Sequence, residues 1–293
     1  MTPELPAIFV NGVRQAEETP HVSARDRGLL LGDGLFETMR ASRGTVFKLD
    51  RHLDRLRRGL AMLAIPEAPN LREWVLSAVD AAADSDASVR LTVTRGPGPS
   101  GVAPPTDSRP TVIVAVNPLP SFPSKIYEVG LTATIASGRR NERAMTAGLK
   151  TLAYGDSIVG WIQAHKAGTD EALFLDTEGH CSEATASNLF IWTNGVLLTP
   201  PLSCAALPGI TRSTVLDLAR DLAIETLERP FGHTELIGAD EAFLTSSLRG
   251  IAPLVAVDDV AIGIGVPGPL THRIADAYAA LVAEYCGRAS IRA

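Results

Sequence analysis

Two periods of apolar and polar positions alternate along the chain. Residues 7–12 (AIFVNG) read as a short strand that closes on an Asn11-Gly12 turn, with a second strand feeding back. From Leu35 to Ala41 the positions alternate singly, so Phe36, Thr38 and Arg40 share one face of a strand. Such a row lines a pocket or shows the polar face of an edge strand; the alternation allows both. Residues 51–64 switch to a helical period, with Leu53, Leu56, Leu60 and Leu63 in one stripe. A helix over 71–83 and strands over 88–95 and 111–116 follow. Beyond the proline-bearing stretch 117–124 come a strand over 131–137 and a helix whose apolar spacing falls on Ile158, Val159 and Ile162. Strands over 171–176, 189–193 and 196–199 are next, the last two joined by Asn194-Gly195. A helix after Arg212 turns Val215, Leu216, Ala219 and Leu222 inward. A strand over 241–245 and an amphipathic helix over 270–285 end the pattern.

The proline-bearing stretch is the best linker candidate in the chain, and the domain boundary is placed there. We place a smaller domain at 1–118, a linker at 119–125 and a larger domain at 126–293. A chain of 293 residues is long enough for two cores.

Composition narrows the function classes. Hydrophobic residues make up 45% and charged residues 20%, as in an ordinary globular protein, and the formal net charge is −6, which speaks against a nucleic-acid partner. No apolar run approaches the ~18 residues of a membrane span, and the N-terminus lacks a basic and then apolar leader. The three cysteines, Cys181, Cys204 and Cys286, are widely spaced and fit neither a disulfide framework nor a zinc site, so no metal is expected and a cytoplasmic setting is.

Candidate chemistry gathers in a few places. Lys150 lies in a Gly-Leu-Lys-Thr turn before a helix, and Glu183 in a Cys-Ser-Glu-Ala-Thr-Ala-Ser-Asn segment before a strand. Arg51, Arg55, Arg57 and Arg58 decorate the first long helix; Arg55 and Arg57 flank its apolar stripe, and helical angle does not choose between them. Leu207-Pro-Gly-Ile-Thr-Arg212 leads straight into a helix, so the Ile210 and Thr211 amides and the Thr211 hydroxyl make a natural anion seat. Ser246-Ser247-Leu248-Arg249 is a second turn with amides and hydroxyls to offer. Two Gly-x-Gly-x-x-Gly spacings, at 96–101 and 263–268, are loops, because no amphipathic helix opens after either.

Five separated segments then line up in order with one family: residues 32–40 (GDGLFETMR), 52–56 (HLDRL), 148–150 (GLK), the stretch from Asp170 through Glu183 to Phe190, and 209–212 (GITR). The chain resembles the class IV, fold-type IV aminotransferases, the group that holds branched-chain and D-amino acid aminotransferases, (R)-selective amine transaminases and 4-amino-4-deoxychorismate lyases. The resemblance implies an α+β fold of two α/β domains, the smaller N-terminal and the larger with a barrel-like sheet, a homodimer, and pyridoxal 5'-phosphate as cofactor. It implies that Lys150 forms the Schiff base and moves the substrate proton, and that Glu183 faces the pyridine nitrogen. The phosphate is expected on Arg55, Ile210, Thr211 and Ser247. Tyr154 stands where branched-chain enzymes carry a tyrosine near the cofactor hydroxyl, one residue closer to the lysine than usual. Asn188 is expected to support the Glu183 segment.

The resemblance implies a transaminase that exchanges an amino group between an amino acid (D-amino acid or branched-chain type) or primary amine and a 2-oxo acid. The alternative is aminodeoxychorismate lyase, which forms 4-aminobenzoate and pyruvate. Phe36-Glu-Thr38 matches the lyases, in which a threonine at this place assists the proton handling. The arginine that lyases tend to carry in the loop after the third strand is missing, and so is the Arg-x-His pair of D-amino acid aminotransferases. Substrate contacts are therefore expected from Phe36, Arg40, Leu248 and Arg249, with Arg249 the first candidate for a carboxylate because a guanidinium binds it at two points.

Overall fold

The computed structural model describes residues 5–16, 22–82 and 85–289. The chain divides into two compact units, one within Met1–Pro120, Leu149–Ala153 and Val282–Ala293, the other within Ser121–Gly148 and Tyr154–Leu281. The first unit is thus discontinuous in sequence.

The first unit holds β1 (Ala7–Val10), β2 (Val13–Arg14), α1 (Arg27–Leu31), β3 (Gly34–Ser42), β4 (Thr45–Val46), α2 (Leu49–Met62), α3 (Leu71–Val79), β5 (Ala87–Thr94) and β6 (Thr111–Pro118). The strands form a sheet in the order β2-β1-β6-β5-β3-β4, antiparallel at every pairing. Period two sorts its residues. Leu35, Met39, Val89, Leu91, Val93, Val112 and Val114 are buried and pack with Leu53, Leu56 and Leu60 of α2 and with Leu71 and Val75 of α3. Each such side chain contributes roughly 1.5–3 kcal/mol by leaving water. Residues 149–153 return to this unit along the start of β3. The Phe36 N–H donates to the Lys150 carbonyl at 3.0 Å and the Leu152 N–H to the Gly34 carbonyl at 3.1 Å. Only glycine permits this approach at residue 34: a Cβ there would stand 2.6 Å from the Val93 carbonyl oxygen and 2.9 Å from Leu152.

The second unit holds α4 (Lys125–Glu128), β7 (Leu131–Arg140), α5 (Gly155–Ala167), β8 (Glu171–Asp176), β9 (Cys181–Ala184), β10 (Asn188–Thr193), β11 (Val196–Thr199), α6 (Ile210–Asp221), β12 (Thr226–Glu228), α7 (His233–Ile237), β13 (Glu241–Ser246), β14 (Gly250–Val257), β15 (Val260–Ala261) and α8 (Pro269–Ala289), whose last turns group with the first unit. The strand order is β12-β11-β10-β13-β14-β7-β8-β9, and β9 pairs again with β10. Six strands, β10-β13-β14-β7-β8-β9, therefore close into a barrel filled by Leu131, Leu173, Leu189, Leu244, Leu254 and their neighbours. Its β14–β7 and β7–β8 pairings are parallel and the others antiparallel.

The apolar spacing on α5 does not mark its buried face. Ile158, Val159 and Ile162 of α5 face outward, 58%, 54% and 40% exposed, while Ser157, Gly160 and Ala164 are buried. The reason is close packing. A Cβ on Gly160 would stand 2.6 Å from the Phe174 ring, so the helix lies on β8 through its small residues and turns its large ones away. Among the described residues, no helix is long and apolar enough to cross a membrane.

Candidate active site

In the first unit β3 carries chemistry on both faces. Glu37 shares the core-facing side with Leu35 and Met39 and is fully buried. A carboxylate can stay there only if it is paired. Arg55 of α2 supplies two bonds, Nε to Oε1 at 2.8 Å and Nη2 to Oε2 at 2.6 Å, and His52 Nδ1 lies 2.6 Å from Oε2. Burial pushes the Glu37 carboxyl up, but the Arg55 and His52 bonds outweigh it and hold it at about 2. Burial, opposed by Glu37 and aided by the charges of Arg55 and Lys150, holds His52 below its ordinary value. His52 is thus neutral and donates from Nδ1–H to an ionised Glu37. Of the two arginines that helical angle left open, Arg55 turns inward and Arg57 stays exposed with Glu67 and Asp54.

On the other face of β3, Phe36 is buried beside Lys150, whose Nζ lies 4.5 Å from the ring centroid. The Arg90 guanidinium lies 3.8 Å from the same centroid. Arg90 reaches this ring from β5, where it stands opposite Thr38 in register. Arg40, farther along β3, pairs with Asp86 at 2.9 Å.

In the second unit, Glu183 of β9 keeps its side chain 15% exposed. The Leu207 N–H donates to Oε2 at 2.9 Å, the Asn188 amide stands 3.5 Å from that oxygen, and Arg140 lies 3.6 Å from Oε1. Asn188 also donates to the Leu207 carbonyl at 2.9 Å. Arg140 is held over the Phe174 ring at 4.2 Å and donates to the Ser157 hydroxyl at 2.9 Å. Two residues past Leu207, Gly209 opens α6 with no side-chain cap. A Cβ on it would meet the Asn188 Oδ1 at 1.9 Å, so glycine is required where the chain crosses that amide. The first-turn residues Ile210 and Thr211 are buried. Tyr154 precedes α5, and Ser247 and Leu248 lie in the turn after β13. Arg249, in that turn, stands 3.7 Å from buried Glu171 and 5.5 Å from the Phe122 ring centroid.

Comparison with known proteins places this arrangement. A family model described as amino-transferase class IV matches residues 34–257. The chain belongs to the class IV aminotransferase family. A putative branched-chain-amino-acid aminotransferase of Methanocaldococcus jannaschii is 37% identical over 276 residues, 92% of this chain and 94% of that protein. Among solved structures, 4-amino-4-deoxychorismate lyase from Pseudomonas aeruginosa superposes with a TM-score of 0.83 at 35% identity, covering 92% of this chain and 97% of the other. The branched-chain amino acid aminotransferase of Escherichia coli gives 0.88 at 30% identity, covering 94% of each chain. The α+β architecture with a barrel sheet is that of the fold-type IV enzymes. Class IV aminotransferases are pyridoxal-phosphate enzymes, solved relatives carry pyridoxamine 5'-phosphate, and pyridoxal 5'-phosphate is the cofactor of this chain.

The residues present fit that group. Each unit holds groups of the kind it needs: the first an amine beside an aromatic ring, the second a carboxylate with one oxygen steadied by a backbone N–H and an uncapped helix start suited to an anion. Sequence reasoning missed four neighbours: Arg90, Glu37, His52 and Arg140. The alternation of Ser88, Arg90 and Thr92 along a strand was a signal for Arg90.

Proposed function

We propose that the chain is a transaminase that exchanges an amino group between an amino acid or primary amine and a 2-oxo acid in two half-reactions, with donors of the branched-chain or D-amino acid type. The observation that carries this reading is the seat of Lys150: residues 149–153 are hydrogen-bonded along β3 so that Nζ stands beside Phe36, with the Arg90 cation on the same ring.

When bound, pyridoxal phosphate supplies an electron sink at the carbon that bears the amino group. Lys150 would hold it through Nζ and would move the proton at the substrate Cα. Glu183, held by the Leu207 N–H and by Asn188, keeps a proton on the pyridine nitrogen. Arg55, the Ile210 and Thr211 amides, the Thr211 hydroxyl and Ser247 bind the phosphate. Two of the Arg55 nitrogens are engaged with Glu37, so Glu37 and His52 orient the guanidinium. Tyr154 serves the cofactor hydroxyl.

For substrate we assign the α-carboxylate to Arg90. Arg90 lies over the ring that Lys150 adjoins, and Arg40 and Arg249 are the other cations proposed for the substrate. Phe36 and Leu248 bound the apolar part of the substrate. We further propose that the protein works as a homodimer in the cytoplasm; the outward apolar faces of α1 (Leu29, Leu30, Leu31) and of α5 support assembly.

The lyase reading, 4-aminobenzoate and pyruvate from 4-amino-4-deoxychorismate, is supported by Thr38 and by the similarity to the Pseudomonas lyase. One assay separates the two. The purified holoenzyme, mixed with D- and L-amino acids and with (R)- and (S)-1-phenylethylamine, should lose its bound-cofactor visible absorption with at least one donor and regain it with a 2-oxo acid. Unchanged absorption with every donor, together with 4-aminobenzoate formation, would establish the lyase instead.

A further inference from the structure

Apart from the residues assigned above, three side chains of metal-ligating type converge in the second unit. Asp176 ends β8, His180 follows four residues on, just before β9, and Cys204 ends the short 3-10 turn Leu202–Cys204. One ligand atom from each, a carboxylate oxygen, an imidazole nitrogen and a sulfur, lie within 4.8 Å of one another. Asp176 and Cys204 are buried, and His180 keeps a third of its side chain in solvent, which leaves an entry path. The hairpin fixes the carboxylate: Oδ1 accepts the N–H groups of Glu178 at 3.0 Å and His180 at 2.8 Å. Oδ2 then faces His180 Nδ1 at 3.2 Å, and the Cys204 thiol donates to the same carboxylate. Glu178, with Oε2 4.0 Å from the His180 nitrogen, adds negative charge at the open side.

We propose that Asp176, His180 and Cys204 form a site for a zinc-class divalent cation, with a fourth position open to water or Glu178. The donor set argues for the ion. Sulfur with imidazole favours zinc or its borderline neighbours over magnesium or calcium, which prefer all-oxygen shells. Three protein ligands with one open position are common for zinc, and ligand bonds of roughly 2.0–2.3 Å suit atoms gathered this closely. On binding, the Cys204 S–H bond breaks, its proton goes to solvent, and a sulfur–metal bond forms with no change of oxidation state. The two N–H bonds to Oδ1 remain as outer contacts that aim the carboxylate. Cysteine spacing shows no sign of this set, because its three members come from a hairpin and a turn that meet only in the fold.

The ion would tie the β8–β9 hairpin to the 202–204 turn. Glu183 lies three residues after His180, and Leu207, whose N–H holds Glu183, lies three after Cys204. A bound cation therefore steadies both segments that orient this carboxylate.

The test uses the metal-stripped holoenzyme titrated with Co2+ and then Zn2+, with free metal removed by dialysis. One Co2+ per chain is expected, with a thiolate-to-cobalt charge-transfer band that Zn2+ displaces. Cys204→Ser should lose that band and weaken Co2+ binding by more than about 100-fold, beyond the loss of an outer contact. His180→Gln, at a partly exposed position, should weaken binding while leaving the fold intact, and Cys286→Ser should change nothing. Failure to retain Co2+, or a band that persists in both Cys204→Ser and His180→Gln, overturns the site.

Discussion

Glu183 pairs with Asn188 across β9 and β10, and this pairing closes six strands of the second unit into a ring. The same two residues meet again through their side chains. The Asn188 amide donates to the Leu207 carbonyl, and the Leu207 N–H donates to Glu183. Barrel closure and the aim of the carboxylate are thus one construction. Asn188→Ala would remove this bond and leave the Leu207 carbonyl to the Gly209 N–H alone, at a cost of about 0.5–1.5 kcal/mol. A fall of the urea midpoint and a lowered kcat are expected together. A variant as stable and as active as the parent would mean that Leu207 is held by other contacts.

The Glu37–Arg55–His52 cluster sets an acid limit. The folded Glu37 carboxyl sits at about 2 against an ordinary 4.5. Its contribution to stability is complete above pH 4.5 and is lost as pH falls through the folded value, about 3 kcal/mol in all. His52 is held below 6.5, so the unfolded chain takes up its proton first and stability already declines below pH 6.5. Urea unfolding followed from pH 7 to pH 3.5 should show both losses. Glu37→Gln strands the buried Arg55 charge, which costs about 3–5 kcal/mol, and should flatten the lower part of the pH curve. An unaltered curve in that variant would sink the assignment.

Much of this was legible in the chain and some was not, for definite reasons. The α2 stripe and the alternation of β3 were readable because each buries one face against a single partner layer. The hairpin at Asn194-Gly195 was readable because its turn chemistry is local. On α5 the apolar spacing was real but pointed outward: spacing finds a stripe, and only packing against Phe174 decides that Gly160 and Ala164 lie beneath. Arg90 needed the β3–β5 register, which brings it opposite Thr38 across 52 residues of sequence (90 − 38). Glu37 and Arg55 likewise find each other only when strand and helix are stacked. Lys150 and Glu183 are singled out only by family resemblance; their own neighbourhoods in the sequence are bland.

Arg90 is the residue on which carboxylate recognition should turn. A charged hydrogen bond is worth about 1.5–3 kcal/mol, so Arg90→Ala should raise KM for amino acid donors by about 10–100-fold. A primary amine without a carboxylate should be affected several times less. Steady-state kinetics on one amino acid and one amine decides it, and equal losses on both would reduce Arg90 to a packing partner of Phe36.

The outward face of α5 predicts association of two chains. Ile158, Val159 and Trp161 each expose more than half their surface. Charge placed there costs the isolated fold little, within about 0.5 kcal/mol. Ile158→Asp with Trp161→Glu should therefore lower the mass in light scattering without lowering the helical signal in circular dichroism. An unchanged dimer would place the interface elsewhere, and a monomeric parent would dismiss it.

Arg27 predicts a local failure. Its buried guanidinium donates to the Pro99, Gly101 and Val102 carbonyls at 2.7, 2.7 and 3.2 Å and pairs with Asp33 at 2.8 Å. Asp33 is also bound by Arg95, through Nε at 2.7 Å and Nη2 at 3.1 Å. Removing Arg27 therefore leaves the carboxylate one partner but strips the loop of three. Arg27→Met should keep the strands in place, since Met fills the methylene space, while freeing residues 99–102. Val102 is exposed within this loop, so subtilisin cleavage there should quicken well before the global unfolding midpoint moves. Arg27→Lys tests the geometry. One ammonium cannot span carbonyls and carboxylate as the planar fork does, so it should protect the loop only in part. If both variants resist subtilisin like the parent, the loop is held by its own prolines and Arg27 serves only to neutralise Asp33.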